Sequence, residues 1–504
     1  MNNISKILIS SLLLSTLGLS SCKDFLDINA NPNLPTAVSP DLVLASGTGN
    51  MMYVLGGQFQ IAGNFLAQHW TQNLVSNQYK ELDRYNILQT TYETPFTTLF
   101  AGAQEDFQIV INRAKGDSSN YAAIAGIQQA FTYQLLSDAY DRVPFTEALQ
   151  GSANLQPRYD EGPVIYDGAI NLINQSLAKI NTSPGAVAPG IQDIVFGTVT
   201  GATTTTIRPL ADEMALWRRF ANTLKLRIFL RQVYVRPQLA QDSIRNMFNR
   251  GAQFLGANEN AQVAFFTSGK NANPVSITEF LGSTITGNVI ASSTVIDYLN
   301  TTADPRIEDL FDRPNNSATT AFAGTAQGLA GTSNAPTGAI TTKSRPDIVK
   351  IIGPTAPVIL ISGAESMFLQ AEAALYGWAG SANAKTLYEQ GVRSSFTRLG
   401  TALPSTFLAS APINLDNATS TEAKLDRIIT QKWVSMSGSQ GFEAWTELRR
   451  TNYPSFIRPS VSSTLAAGII ANRFPYPSTE SARNPNTPAV QLVDVPVWWD
   501  TKPL

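Results

Sequence analysis

Apolar residues return every three or four positions over several long stretches of this chain, the period of a helix with one buried face. Tyr121, Ile124, Ile127, Phe131 and Leu135 make one such face. That helix is expected to stop before Val143-Pro144, because the residue preceding a proline avoids the helical region. Trp217, Phe220, Leu224, Ile228 and Tyr234 make a second, with Asp212 and Glu213 near its positive start and Arg227 and Arg231 on one side. Ser362-Gly363-Ala364-Glu365 reads as a capping box that opens an alanine-rich helix ending near Gly377, and Leu387, Tyr388, Val392 and Phe396 belong to the helix after it. Helix, glycine turn and helix together have the build of a tetratricopeptide-type hairpin, although one copy does not make an array. A capping box from Thr419 to Glu422 opens a further helix through Leu425, Ile428, Ile429, Trp433 and Met436, and Phe442, Trp445 and Leu448 form a shorter one. Strand signals such as Gln262-Val263-Ala264-Phe265-Phe266 are few and short. Segments rich in Gly, Ala, Ser, Thr and Pro separate these elements around 181–211, 315–346 and 451–490. No charge-rich linker divides the chain, so the pattern predicts one mostly α body with long irregular loops and a few short strands.

The N-terminus follows a different pattern. Lys6 and the apolar run from Ile7 to Gly18 read as a secretory signal, too short to span a bilayer stably. Cys22 follows where a bacterial lipoprotein is cut and acylated. The expected organisation is a removed signal at 1–21, a lipidated tether at 22–40 and a single domain at 41–504. Cys22 is the only cysteine, so no internal disulfide can form and the core must come from packing.

Charge and chemistry narrow the function classes. The 36 basic and 38 acidic residues give a formal charge of −2 without long runs of one sign, which points away from nucleic acid. A single histidine, His69, and no cysteine beyond the anchor remove most transition-metal sites and the usual Ser-His or Cys-His nucleophile. No catalytic residue and no cofactor is therefore expected, while a structural calcium ion, held by oxygens, would leave no such signature and stays open. Amides and aromatic rings gather instead in Gln68-His69-Trp70-Thr71-Gln72-Asn73 and in the stretch that follows. Trp70, Asn73, Gln78, Tyr79, Arg84 and Tyr85 are the first candidates for stacking on a sugar or peptide face and reading its hydroxyls or amides. Asn271 and Asn273, in a turn-forming stretch beside Pro274, are the second. The same rings would serve equally well as packing residues. Asp309 with Asp312 and Glu443 with Glu447 have spacings open to a glycoside hydrolase, and also to ordinary paired helix positions.

Several short motifs then fall in a recognisable order. They are Cys22-Lys23-Asp24-Phe25-Leu26-Asp27, Asp138-Ala139-Tyr140-Asp141-Arg142-Val143-Pro144-Phe145, Pro157-Arg158-Tyr159-Asp160, Trp217-Arg218-Arg219-Phe220, Asp304-Pro305-Arg306 and Ala371-Glu372-Ala373. Gln431-Lys432-Trp433, Glu443-Ala444-Trp445, Arg449-Arg450-Thr451 and Val497-Trp498-Trp499-Asp500 complete the set. In these motifs the chain resembles the SusD/RagB family of outer-membrane lipoproteins, in its SusD-like branch. Asp141 departs from the family pattern, which commonly has glycine there. The resemblance implies a SusD-like helical body with tetratricopeptide-type hairpins, lipid-anchored at the cell surface. It also implies service as the lid of a SusC-type TonB-dependent outer-membrane transporter. The implied ligand is an oligosaccharide or, as in the RagB branch, a peptide, with an aromatic and an asparagine of the early region at the site. A secreted glycoside hydrolase is the reading from a different class. Arg227, Arg231, Glu372, Arg449 and Arg450 read as fold determinants held by paired charges or carbonyl contacts.

Overall fold

Apolar helix faces meet in a main core that runs from Val43 to Trp499, with two smaller apolar clusters beside it. The computed structural model describes residues 39–200, 205–266, 271–278, 287–331 and 342–503. Cys22, the signal before it and the tether up to residue 38 lie outside the described residues. The longer helices are α1 (Pro40–Gly56), α2 (Gln58–Leu66), α3 (Glu105–Arg113), α4 (Ser119–Tyr140), α5 (Gly162–Lys179), α6 (Leu210–Leu230), α7 (Pro237–Asn249), α8 (Ser293–Thr301), α9 (Gly363–Leu375), α10 (Ala384–Leu399), α11 (Thr421–Met436) and α12 (Gly441–Thr451).

Most expected ends are observed for the expected reasons. Ser362 caps α9 by accepting from the Glu365 amide at 3.1 Å, and Gly377 takes a φ of 71° after the helix. α10 folds back on α9, and Phe368, Tyr388, Val392 and Phe396 share an apolar cluster with Ile428 of α11. The α11 cap is displaced by one residue: Ser420, rather than Thr419, accepts from the Ala423 amide. The strand expected over 262–266 is shorter, Ala261–Val263, and pairs antiparallel with Val358–Ile361; Phe266 beyond it is exposed. Helix α4 differs more. Its pattern predicts one apolar face, yet nearly every residue is buried, because α4 runs through the middle of the body and its alanines let neighbours close in all round. At another close crossing, a Cβ on Gly63 of α2 would lie 2.1 Å from the Gly441 carbonyl carbon of α12. Among the described residues the strands form two-stranded pairs only, one of them Trp70–Gln72 with Val289–Ala291.

Buried charges tie α4, α6, α9, α11 and α12 together. Just past α6, Arg231 donates to both Glu443 carboxylate oxygens at 2.7 and 2.8 Å, and to Glu447. Arg450 donates to Glu372 at 2.8 Å and to Glu447 at 2.7 Å. Arg227 reaches Gln134 at 2.9 Å and Glu365 at 3.2 Å, and Lys432 Nζ lies 3.2 Å from Glu447. Burial alone would raise the Glu447 carboxyl, but Arg450, Lys432 and Arg231 together hold it well below the ordinary range. Arg449 donates to the Asp138 carbonyl at 2.8 Å while lying 3.7 Å over the Trp445 ring. Of the residues read as fold determinants, Arg450 and Glu372 are each other's partners, Arg227 and Arg231 find other buried acids, and Arg449 is held by backbone carbonyls.

Asp141 explains its own departure from the family pattern. Its φ of 74° suits glycine, and the aspartate holds it by accepting from the Trp498 amide at 2.8 Å.

Candidate ligand-binding groove

The early segment rich in rings and amides folds mostly inward. Trp70 and Asn73 bracket the strand Trp70–Gln72: Trp70 is 1% exposed, and the Asn73 side chain donates to the Gly287 carbonyl. Tyr85 is equally buried, its hydroxyl accepting from the Ser460 amide at 3.2 Å, and desolvation first among several effects pushes that hydroxyl up to about 12. Arg84 is half-buried and lies 3.8 Å from Glu81. Trp70, Asn73 and Tyr85 are corrected from ligand contacts to packing or positioning residues, because their rings and amide are buried, and Arg84 does not line the groove that Gln78 and Tyr79 reach. Asp83, between them, accepts from Thr71 Oγ1 at 3.0 Å and from the Gly328 amide at 2.8 Å, locking the segment to a distant loop. Burial pushes its carboxyl up to about 7 despite those donors.

His69 is likewise internal. Its ring nitrogens face the Asn64 Oδ1 and the Trp433 carbonyl, both at 3.0 Å, and its ring packs 4.7 Å from that of Trp433. Two acceptors would favour the imidazolium, but complete burial outweighs them and pushes His69 down to about 3.

Gln78 and Tyr79 do reach a surface depression. It has a volume of 430 Å³, within the range of small-ligand sites. Helix α1 brings Tyr53, a residue 56% exposed, to one wall. Tyr79 stands half-buried, packed 5.3 Å from the Phe65 ring. Tyr92 backs the groove, stacked 3.9 Å from Phe474 with 14° between the planes. Amides and hydroxyls of Gln58, Asn86, Thr91 and Thr94 share the remainder with the apolar side chains of Val54, Ile61, Leu82, Leu88 and Pro95. Glu81 is the one charged residue among the described lining residues, and Asn86 Nδ2 already donates to it.

The second candidate stretch reaches the same groove indirectly. Asn273 is buried; its side chain caps a short turn by accepting from the Val275 amide at 2.9 Å and donates to the Ala356 carbonyl at 2.8 Å. That clamp positions Pro274, which lines the groove, so Asn273 is corrected to a positioning residue. Gly57, at the α1–α2 junction, permits the approach: a Cβ there would lie 2.6 Å from the Tyr53 carbonyl and 3.3 Å from Pro274. Asn271 is exposed outside the groove, its carbonyl accepting from the Phe266 amide at 2.9 Å. Tyr53, Gln58, Pro274 and Thr278 were not among the sequence candidates; Asn273-Pro274, a cap before a proline, was the available signal for the third.

A groove of tyrosines, amides and threonines can stack on and hydrogen-bond a neutral polar chain. The carboxylate pairs open to hydrolysis are engaged elsewhere. Glu443 and Glu447 sit in the buried ionic network, Asp309 pairs with Lys350 and Asp312 lies 3.8 Å from Arg345. Among the described residues there is no group of three or more His, Cys, Asp or Glu placed to hold a metal, and no helix long and apolar enough to cross a membrane.

Residues 32–477 match the SusD-like family, described as starch-binding associating with outer membrane. No curated protein matches the chain. Among solved structures, it is similar to a SusD homolog from Bacteroides uniformis, with a TM-score of 0.76 and 23% identity over 91% of this chain and 99% of that one. A chitin-binding SusD homolog from Flavobacterium johnsoniae aligns with a TM-score of 0.74 and 21% identity over 91% and 99%. One from Bacteroides vulgatus gives 0.74 and 20% over 90% and 97%.

Proposed function

The chain belongs to the SusD-like family, and from that premise we propose that it is an outer-membrane-associated glycan-binding protein whose ligand lies in the groove walled by Tyr53, Tyr79 and Pro274. The observation that carries this reading is a depression in which apolar side chains and an exposed tyrosine on one wall stand beside neutral amides and hydroxyls, with Glu81 the one charged residue among those described. Sugar rings present an apolar face for such a ring and hydroxyls for the amides beside it. Binding and hand-over form no covalent bond, so the reading needs no catalytic residue and no cofactor. In this function Cys22 carries the lipid anchor, and the bound oligosaccharide passes to a SusC-type TonB-dependent transporter over which the body sits as a lid.

Affinity electrophoresis against a polysaccharide panel including starch and chitin is expected to retard the protein. Uniform failure together with retention of peptides from a protein digest would replace the glycan by a peptide. Mild-detergent extraction of native membranes is expected to recover the protein with a large β-barrel, and Cys22→Ala to release it from the membrane with its affinity unchanged. Recovery of the wild-type protein alone would contradict the transporter role.

A further inference from the structure

Asp83 ends the short helix Lys80–Asp83, and Gln78, Tyr79, Glu81, Leu82 and Asn86 on either side of it all line the groove. Its own side chain is turned into the body, where the residue is 1% exposed. There it accepts from Thr71 Oγ1 at 3.0 Å, from the Gly328 amide at 2.8 Å and from Gln327 Nε2, and the Gln72 amide also donates to it. The loop it holds is fixed in turn from behind. The Val461 amide donates to the Gln327 carbonyl at 2.9 Å, and Ser462 Oγ to the Gly328 carbonyl at 2.7 Å. One carboxyl thus joins a wall of the groove to two segments remote in sequence.

All four donors are neutral, and among the described residues no cation forms an ion pair with Asp83. On the segments around it, Arg84 lies against Glu81, Arg458 donates to the Ser455 carbonyl at 2.8 Å, and Tyr85 is the titratable side chain that faces it. A buried carboxylate without a counter-charge is costly, and here burial outweighs the donors and pushes the carboxyl up to about 7. The loop also carries an acceptor that an ionised Asp83 cannot satisfy: Gln327 Oε1 is buried with no donor among the described residues. A neutral carboxyl can pair with that amide in both directions, accepting from Nε2 and donating its own proton to Oε1.

We infer that Asp83 is a positioning residue operated by a proton: neutral, it clamps the groove wall to the 327–328 loop, and ionised, it lets that clamp loosen. No ligand has to reach it, since a proton enters through brief local openings. When the clamp opens, Asp83 meets water and titrates near 3.8, so closing takes up a proton between that value and about 7. The clamp is therefore strongest in acid, weakens by up to about tenfold per pH unit as the pH rises towards 7, and changes little beyond. The regulation of ligand binding that follows rests on the glycan reading of the groove; the clamp itself does not.

The test compares the full-length wild type with Asp83→Asn, which keeps the shape of the side chain, stays neutral and can donate to Gln327 Oε1 at every pH. Hydrogen exchange gives the protection of segment 326–330 relative to its intrinsic rate, and calorimetry gives dissociation constants for starch and chitin oligosaccharides, both at pH 5.5, 7 and 8. In the wild type, protection is expected to fall about tenfold from pH 5.5 to 7 and to stay nearly level to pH 8. Affinity is expected to weaken about threefold over the same range. Asp83→Asn is expected to keep its pH 5.5 protection and affinity throughout. Level protection in the wild type, or the same fall in Asp83→Asn, would overturn the clamp and leave the glycan groove standing. Protection that falls while affinity stays constant would overturn the positioning role. If protection behaves as expected in both proteins but no oligosaccharide binds at any pH, the clamp stands and the glycan reading fails.

Discussion

The buried junction of α4, α6, α9, α11 and α12 and the groove beside α1 handle polarity in opposite ways. In the junction, Arg231, Arg450, Glu443 and Glu447 are full charges removed from water, and each is held by opposite charges at hydrogen-bond distance. In the groove, polarity is carried by neutral amides and hydroxyls, and its one charged residue, Glu81, is already engaged. Buried charges demand their partners, and removing one strands the rest. Neutral groups at a surface can instead exchange water for a ligand at little cost to the fold. The junction therefore specifies the architecture, and the groove is where ligand specificity can change without disturbing it.

The largest effect that would break this contrast lies in the junction. Arg231→Ala leaves Glu443 and Glu447 short of their nearest cation and is expected to cost about 3–5 kcal/mol in denaturant unfolding, while the folded fraction keeps its glycan affinity. A loss below about 1 kcal/mol would mean that the remaining cations, Arg227, Arg450 and Lys432, suffice.

Acid should act next, through the interior and not through the groove. His69 takes its proton near 6.5 when unfolded but only near 3 when folded, so the unfolded chain binds more protons between those values. The His69 share of stability is expected to fall as pH drops below 6.5, at up to about 1.4 kcal/mol per pH unit, while Asp83, whose carboxyl is raised to about 7 in the folded state, contributes with the opposite sign. Below the ordinary carboxylate value of 4.5, protonation of Glu443 and Glu447 adds to the loss, since both are held low in the folded state. Thermal melts of wild type and His69→Gln across this range isolate the histidine: the stability difference between the two is expected to change with pH between 6.5 and about 3, and the loss below 4.5 to be common to both.

A smaller change probes the link between fold and groove. Asn273→Ala removes the cap that positions Pro274 and is expected to cost about 1 kcal/mol of stability. A modest drop in affinity should accompany it, because Pro274 lines the groove. Loss of affinity with stability intact would instead make Asn273 a direct ligand contact.

The same contrast explains what could be read from the chain. Arg227, Arg231, Glu372 and Arg450 were legible because a charge on an apolar helix face has few uses besides a buried partner. Ser362 was legible because an N-cap is local. Trp70, Asn73 and Tyr85 misled because a ring or an amide serves a strand, a turn or a ligand equally well, and their choice is made by partners such as Gly287 and Ser460, more than two hundred residues away. Tyr53 was missed for a related reason: it lies between Met51, Met52, Val54 and Leu55, all buried, where one exposed ring is indistinguishable from core by pattern. The groove also needs Pro274, which no local pattern connects to α1.

The most direct test of this division pairs two aromatic residues that the sequence cannot rank. Glycan affinity and the unfolding midpoint are measured side by side for Tyr53→Ala and Trp70→Ala. Tyr53→Ala is expected to lose about tenfold in affinity with stability within about 0.5 kcal/mol of the wild type. Trp70→Ala is expected to lose about 3–5 kcal/mol of stability while its folded fraction binds normally. The reverse outcome, with Trp70 setting affinity and Tyr53 setting stability, would contradict the account.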